Sequence, residues 1–186
     1  MSDYQKLAEL LFPNITKTPE YYEALYPQRD LPEGAKVTRL APSPTGYLHF
    51  GNLFSAMVAY KTAKATNGIF YVRVEDTDQK RKIEGAVEIM LSGLAAYDVI
   101  PDEGVMTDGT QKGIYAPYIQ SERTEIYQTF AKSLVQLGFA YPCFCSAEEL
   151  DEIRAQQEKE DIKGYYGSYA KCRNLSLDEI RERIDA

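Results

Sequence analysis

The chain has 186 residues, 44% of them hydrophobic, and 28 acidic against 21 basic side chains give it a formal net charge of −7. That length supports one domain or one and a half with a buried core. No apolar run approaches the roughly 18 residues of a membrane span, and the opening MSDYQKLAELLF lacks the basic flank and long apolar centre of a signal peptide, so a cytosolic protein without membrane contacts is expected. The acidic balance argues against a polyanion partner, but Lys61 to Lys82 holds six basic residues (Lys61, Lys64, Arg73, Lys80, Arg81, Lys82) against three acidic ones, Glu75, Asp76 and Asp78.

Taken in chain order, the first 36 residues read as an appended helix, Tyr4 to Phe12, followed by a connection punctuated by Pro13, Pro19, Pro27 and Pro32. VTRLA, from Val37, predicts a short strand. PSPTGY is excluded from helix by its two prolines and glycine, and the alanine-rich run from Phe50 to Thr66 predicts a helix closed by Gly68. IFYVRVE then alternates as a strand does. Strand, tight loop, helix and strand within this span make a βαβ unit, which implies parallel strands and an α/β, doubly wound sheet. A second helix is expected from Ile83 to Tyr97, with Ile83, Val87, Met90, Leu91 and Leu94 on one side. Beyond Asp98 a Gly- and Asp-rich stretch reads as a boundary or extended insertion up to Pro117. A helix from Glu122 to Gly138, a strand-like AYPCFC, a charged helix over 148–163 and another from Leu177 to Ile184 complete the expectation.

The stretch richest in chemistry is Pro42-Ser-Pro-Thr-Gly-Tyr-Leu-His-Phe-Gly-Asn52, where a strand hands over to a helix. Ligands of parallel α/β sheets bind at the carboxyl ends of strands, and a helix start offers free N–H groups to phosphate. Gly46 and Gly51 are spaced as in a Walker A loop, but Asn52 and Leu53 stand where Lys and Ser/Thr are required; the dinucleotide fingerprint G-x-G-x-x-G is also absent. His49 is the only histidine. Arg39 sits on a strand between apolar neighbours, where an unpaired guanidinium is costly and a carboxylate ligand would relieve it. Three cysteines cannot all pair with one another, and Cys143 and Cys145, one residue apart, suit a metal site in a reducing compartment.

A histidine followed by an apolar residue, Gly51 and a small polar residue, after Pro-Ser-Pro-Thr-Gly, resembles the class I aminoacyl-tRNA synthetase signature as glutamyl-tRNA synthetases carry it. The resemblance continues through Val37-Thr-Arg-Leu-Ala-Pro-Ser-Pro-Thr-Gly46, Val72-Arg-Val-Glu-Asp-Thr-Asp78, Tyr118-Ile-Gln-Ser-Glu-Arg123 and Ala140-Tyr-Pro-Cys-Phe-Cys145. It implies a Rossmann-like (HUP-type) parallel-sheet nucleotide-binding domain followed by the start of an α+β connective, acceptor-stem-binding insertion. The division it suggests is an extension over 1–36, the first half of a catalytic core over 37–110, and an incomplete connective domain over 111–186.

The activity implied is activation of L-glutamate with ATP and Mg²⁺ to glutamyl-adenylate, then transfer to tRNA-Glu. Membrane and DNA are not expected partners. By resemblance, Arg39, Ala41, Ser43 and Glu75 bind glutamate, Arg39 its side-chain carboxylate and Glu75 its α-ammonium group. A bidentate Arg–carboxylate pair would discriminate against glutamine. Pro42, Ser43, Pro44, Thr45, Gly46, His49 and Gly51 line the ATP site, His49, Gly51 and Asn52 form its catalytic end, and Thr77 and Asp78 meet the tRNA acceptor end. Several family members bind zinc through Cys-x-Cys and a later Cys-x-His; here Cys143, Cys145 and Cys172 match, Asn174 replaces the histidine, and Tyr166 or Tyr169 is a candidate substitute.

The resemblance also marks what is missing. A KMSKS-type loop has no match and there is no room for an anticodon-binding domain, so a truncated and poorly active chain is expected. The alternatives are a glutamyl-queuosine tRNA-Asp synthetase paralogue, against which the long Cys145 to Cys172 spacing speaks, and a non-catalytic tRNA- or protein-binding module of the same fold. Glutaminyl-tRNA synthetase is disfavoured, since its loop usually reads Pro-Glu-Pro-Asn.

Overall fold

The computed structural model describes residues 2–46, 49–81, 83–162 and 169–185. They form two compact units, Pro19–Tyr127 and Met1–Thr18 together with Gln128–Ala186. These limits fall elsewhere than the boundaries at 36/37 and 110/111 drawn from the sequence.

In the unit spanning 19–127, β1 (Val37–Leu40) pairs in parallel with β2 (Ile69–Val72), Arg39 opposite Tyr71. β2 pairs in parallel with β3 (Glu103–Val105), and β3 turns back on β4 (Gln111–Lys112), giving one four-stranded mixed sheet in the order β1-β2-β3-β4. The βαβ expectation is thus met by β1, α3 (Phe50–Ala65) and β2. α3 turns Leu53, Ala56, Met57, Tyr60 and Ala63 towards Phe70 and Val72, which have no exposed surface. Thr38 fixes its place further, donating from Oγ1 to the Ala59 carbonyl at 2.8 Å.

Closing the helix at Gly68 is sterically enforced. A Cβ there would lie 1.9 Å from the Lys36 carbonyl oxygen, so only glycine lets the chain turn into β2 beside β1. α4 (Ala86–Ala95) packs Met90, Leu91 and Leu94 on the same core. It begins three residues later than the Ile83 start expected from the stripe, because Gly85 stands at φ +75°, outside helical geometry.

The stretch read as loose beyond Asp98 holds the β3–β4 hairpin. Asp108 accepts from Thr110 N (3.0 Å) and Oγ1 (2.7 Å), and Gly109 takes φ +80°. The N-terminal connection holds a further helix, α2 (Pro19–Leu25), that the sequence reading passed over.

The other unit joins α1 (Asp3–Leu11) to the last part of the chain. Leu7 and Ala8 pack with Val135 and Ile180, and the buried Lys132 ammonium is held by Glu9 Oε2 (2.9 Å) and the Phe12 (3.3 Å) and Ile15 (2.8 Å) carbonyls. α5 (Thr124–Gln136) is preceded by a 3₁₀ turn, Gln120–Arg123. α6 (Ala147–Lys159) and α7 (Leu177–Asp185) follow, α6 started by a reciprocal Ser146–Glu149 capping box.

AYPCFC is not a strand, contrary to expectation. Pro142 cannot donate to a ladder and no strand among the described residues pairs with the segment, whose cysteines instead gather with Cys172. No helix among the described residues is long and apolar enough to cross a membrane.

Candidate functional site

The carboxyl ends of β1 and β2 run on side by side past the last ladder pair. Arg73 N donates to Leu40 O (3.1 Å), Glu75 N to Pro42 O (2.8 Å), and Ile83 N to Pro44 O (2.7 Å). Pro42 and Pro44 are buried, whereas Ser43 and Gly46 between and after them are exposed. Prolines fit here because their carbonyls, not their missing N–H groups, carry the pairing. Tyr47 and Leu48 of the signature lie outside the described residues.

His49 is the extended residue immediately before α3; its carbonyl accepts from Leu53 N (3.1 Å) and its exposed imidazole caps no backbone group. A Cβ on Gly51 would stand 3.1 Å from that ring, so a larger residue there would require the exposed imidazole to shift. Asn52 is half-buried in the first turn. Free N–H groups at this helix start are suited to an anionic ligand.

Arg39 does not carry the unpaired charge that its neighbours in sequence suggested. It is exposed and its Nη1 pairs with Glu75 Oε1 at 2.8 Å, while Arg73 Nη2 reaches the same oxygen at 3.3 Å. The fold therefore brings together two residues 36 apart in sequence, one cationic and one anionic, at strand ends beside the proline loop. Such a pair can open around a zwitterion: the cation takes a carboxylate and the anion an ammonium.

Thr77 is exposed and Asp78 half-buried. Asp78 Oδ2 accepts from Arg81 Nε at 2.6 Å, and that hydrogen bond holds the carboxyl below its usual pKa. Of the basic stretch, Lys64 is tied to Asp102, Arg73 to Glu75 and Arg81 to Asp78, so much of its charge is spent locally; Lys82 lies outside the described residues.

The sequence reading missed what fixes Glu75. Its neighbour Asp76, only 6% exposed, accepts from Ser121 N (2.9 Å) and Ser121 Oγ (2.7 Å). Val74 N donates to Tyr118 O and Gln120 N to Val74 O, both at 2.9 Å, so residues 118–121 zip against 74–76. Arg123 Nη1 then donates to the Tyr115 (3.2 Å) and Pro117 (2.7 Å) carbonyls. Two of the quoted motifs are thus halves of one brace, a pairing that only the fold reveals.

In the other unit, Cys143, Cys145 and Cys172 place their sulfurs within 4.8 Å of one another, Cys145 and Cys172 at 3.8 Å, and Phe144 N donates to Cys172 Sγ at 3.4 Å. Burial pushes the Cys172 thiol above its usual pKa, and its sulfur neighbours push the same way. No His, Asp or Glu among the described residues joins the three as a fourth ligand. Tyr169 donates its hydroxyl to Glu160, which raises the phenol pKa and disfavours the phenolate a metal would want; Tyr166 lies outside the described residues.

A βαβ unit with a carbonyl-rich loop at its strand ends and a histidine at the next helix start defines a Rossmann-like nucleotide-binding domain of the class I synthetase type. The chain belongs to the family described as tRNA synthetases class I (E and Q), catalytic domain, whose model matches residues 36–186. It is 55% identical to a glutamate–tRNA ligase of Acetivibrio thermocellus over 185 residues, 98% of this chain and 34% of the relative. Against that of Clostridium perfringens (strain 13 / Type A) it is 50% identical over 184 residues, again 98% of this chain and 34% of the relative. A solved glutamate tRNA ligase from Elizabethkingia meningosepticum, in complex with its amino acid, matches with a TM-score of 0.66 at 35% identity, over 82% of this chain and 30% of that one. The chain spans about a third of the length of the curated relatives it matches.

Proposed function

We propose that this chain supplies the glutamate- and ATP-binding part of a glutamate–tRNA ligase, with residues 37–110 the first half of the catalytic core and 111–186 the start of the acceptor-stem-binding insertion. The observation that carries this reading is the Arg39–Glu75 pair at the ends of parallel strands, beside the proline loop and His49. The names of the relatives support it.

On this reading glutamate enters by parting the pair. Arg39, helped by Ser43 and the Ala41 backbone, takes the side-chain carboxylate, and Glu75 takes the α-ammonium group. Glutamine is rejected because its amide presents one acceptor and two donors to a fork that only donates. ATP lies along the loop from Pro42 to Gly46 with its phosphates at His49 and the α3 start, accompanied by Mg²⁺. There His49, Gly51 and Asn52 position the α-phosphorus for attack by the α-carboxylate and stabilise the charge that develops. Thr77 and Asp78 face the acceptor end of tRNA-Glu, and the chain works in the cytoplasm.

The three thiols fit a zinc ion. A tetrahedral site with Zn–S of about 2.3 Å has sulfur–sulfur edges of about 3.8 Å, the separation of Cys145 and Cys172. Zinc would supply a structural cross-link there and take no part in the reaction.

The test is calorimetric titration of the chain with a non-hydrolysable glutamyl-adenylate analogue and its glutaminyl counterpart. Saturable binding of the first, at least about 100-fold tighter than of the second, is expected from loss of a bidentate charged contact. Equal binding of the two contradicts the role given to Arg39.

A further inference from the structure

β-Strand alternation puts Thr38, Phe70 and Val72 on the α3 side of the sheet and Val37, Arg39, Tyr71 and Arg73 on the other. On that second side lies a cavity of about 220 Å³ whose polar lining is Arg29, Arg73, Arg123, Tyr71, Tyr115 and Tyr118.

Its charge does not balance. Arg29 is neutralised by Glu103, which it grips with both Nη atoms, and its guanidinium lies 3.9 Å over the Tyr115 ring. Burial works to raise the Glu103 pKa, but the hydrogen bonds from Arg29 and Tyr118 outweigh it and leave the carboxyl below its usual value, hence charged. Among the described residues the Arg73 guanidinium has only the Glu75 oxygen at 3.3 Å, which it shares with the closer Arg39. Arg123 holds two backbone carbonyls and lies 5.7 Å over the Tyr26 ring, with no carboxylate of the described residues in an ion pair with it. Among the described residues, three guanidinium groups line the cavity, Arg29, Arg73 and Arg123, and the carboxylates paired with them are Glu103 and a Glu75 that is shared with Arg39.

The Nε atoms of Arg73 and Arg123 are both buried and have no hydrogen-bond partner among the described residues. Two of the phenols are turned to other partners: Tyr115 donates to the Pro27 carbonyl (2.6 Å), and Tyr118 donates to Glu103 (2.7 Å) and accepts from Tyr115 N (3.3 Å). What the cavity lacks is negative charge with acceptor oxygens, and guanidinium forks match oxyanions in both respects.

We propose that this cavity binds a small oxyanion, the carboxylate or phosphate group of a ligand, between Arg73 and Arg123. The site is separate from the loop and helix start given to ATP, and it does not rest on the glutamate reading, so either can fail without the other. Arg73 lines the cavity and also reaches Glu75, which makes the anion a means of drawing Arg73 away from Glu75 and leaving that carboxylate to Arg39.

The test is an NMR titration of the ¹⁵N-labelled chain, following arginine Nε–H resonances with inorganic phosphate and, separately, acetate, each against sodium chloride of equal ionic strength. Saturable shifts at Arg73 and Arg123 are expected, with Arg73→Gln weakening the apparent affinity at least about tenfold. Arg123 also holds two carbonyls, so Arg123→Lys, which keeps the charge but loses the fork, is the second variant and should weaken binding likewise. Saturation by phosphate alone assigns a tetrahedral ligand and by acetate alone a planar one. Shifts no larger than those with chloride, or saturation that both folded variants leave unchanged, overturn the site.

Discussion

Removing the Asp76 carboxylate tests whether the two motifs brace one another. In Asp76→Ala, Ser121 N and Oγ lose acceptors now 2.9 and 2.7 Å away; the acid is 6% exposed, but Ser121 is exposed and water can reach its donors. What is lost is hydrogen bonding to a charged group, and a cost of about 1.5–3 kcal/mol is expected. Ser121→Ala removes one bond and keeps the backbone donor satisfied, so it should cost about 1 kcal/mol. Urea unfolding of each single variant and of the double variant, followed by tyrosine near-UV circular dichroism, gives the coupling, expected at about 1 kcal/mol or more. Because Glu75 adjoins Asp76, Asp76→Ala should also weaken binding of the adenylate analogue. A folded variant within about 0.5 kcal/mol of the parent would refute the brace, because surface-like substitutions fall in that range.

Three further outcomes follow from the same geometry. Gly104→Ala should cost about 3 kcal/mol or more or prevent folding, since Gly104 has φ +114° and its Cβ would stand 2.1 Å from the Val72 carbonyl oxygen; thermal unfolding within two degrees of the parent would contradict the close approach of β2 and β3. Burial first, and then the bond to Glu103, push the Tyr118 phenol up from 10.0 to about 12. A raised folded pKa means the protonated form favours folding, so this contribution is complete below pH 10 and lost as pH rises through about 12; Tyr118→Phe should remove that part of the alkaline loss, and an unchanged slope in urea midpoints would count against it. Elemental analysis of protein prepared in metal-free buffers with added zinc should find one zinc per chain, abolished in Cys145→Ser; zinc content equal in the two proteins would exclude the cysteine site.

The elements that were legible in the sequence are those whose signals are local. β1, α3 and β2 declared themselves through β-branched alternation, an alanine-rich run and Gly68, and the signature around His49 named the strand-to-helix junction. The β3–β4 hairpin carried its own marker, Asp108-Gly109 between Val105 and Gln111, but its strands are too short to show alternation. AYPCFC shows the opposite failure: aromatic and β-compatible residues looked like a strand, yet pairing needs a neighbour and Pro142 withholds a donor.

At the site, residue identity pointed to Arg39 and Glu75 one by one, whereas their pairing and the Asp76–Ser121 brace are long-range contacts that spacing does not encode. The same holds for Lys132, which reads as a surface lysine on α5 and proves to be buried against Glu9 and two carbonyls from the other end of the chain. The sulfur cluster was visible in two steps, since Cys143 and Cys145 are neighbours in sequence while Cys172 entered through the family resemblance, and the fold brings the three together.

The central claim, that Arg39, Glu75 and His49 form the activating site for glutamate, is tested most directly by joining this chain to the remaining two thirds of the Acetivibrio thermocellus relative and measuring ATP–pyrophosphate exchange. Exchange that depends on glutamate and falls by about two orders of magnitude in both Arg39→Ala and His49→Ala is predicted, the size expected when a group aligning or stabilising the transition state is removed. A folded, active chimera whose exchange survives both substitutions would contradict the account.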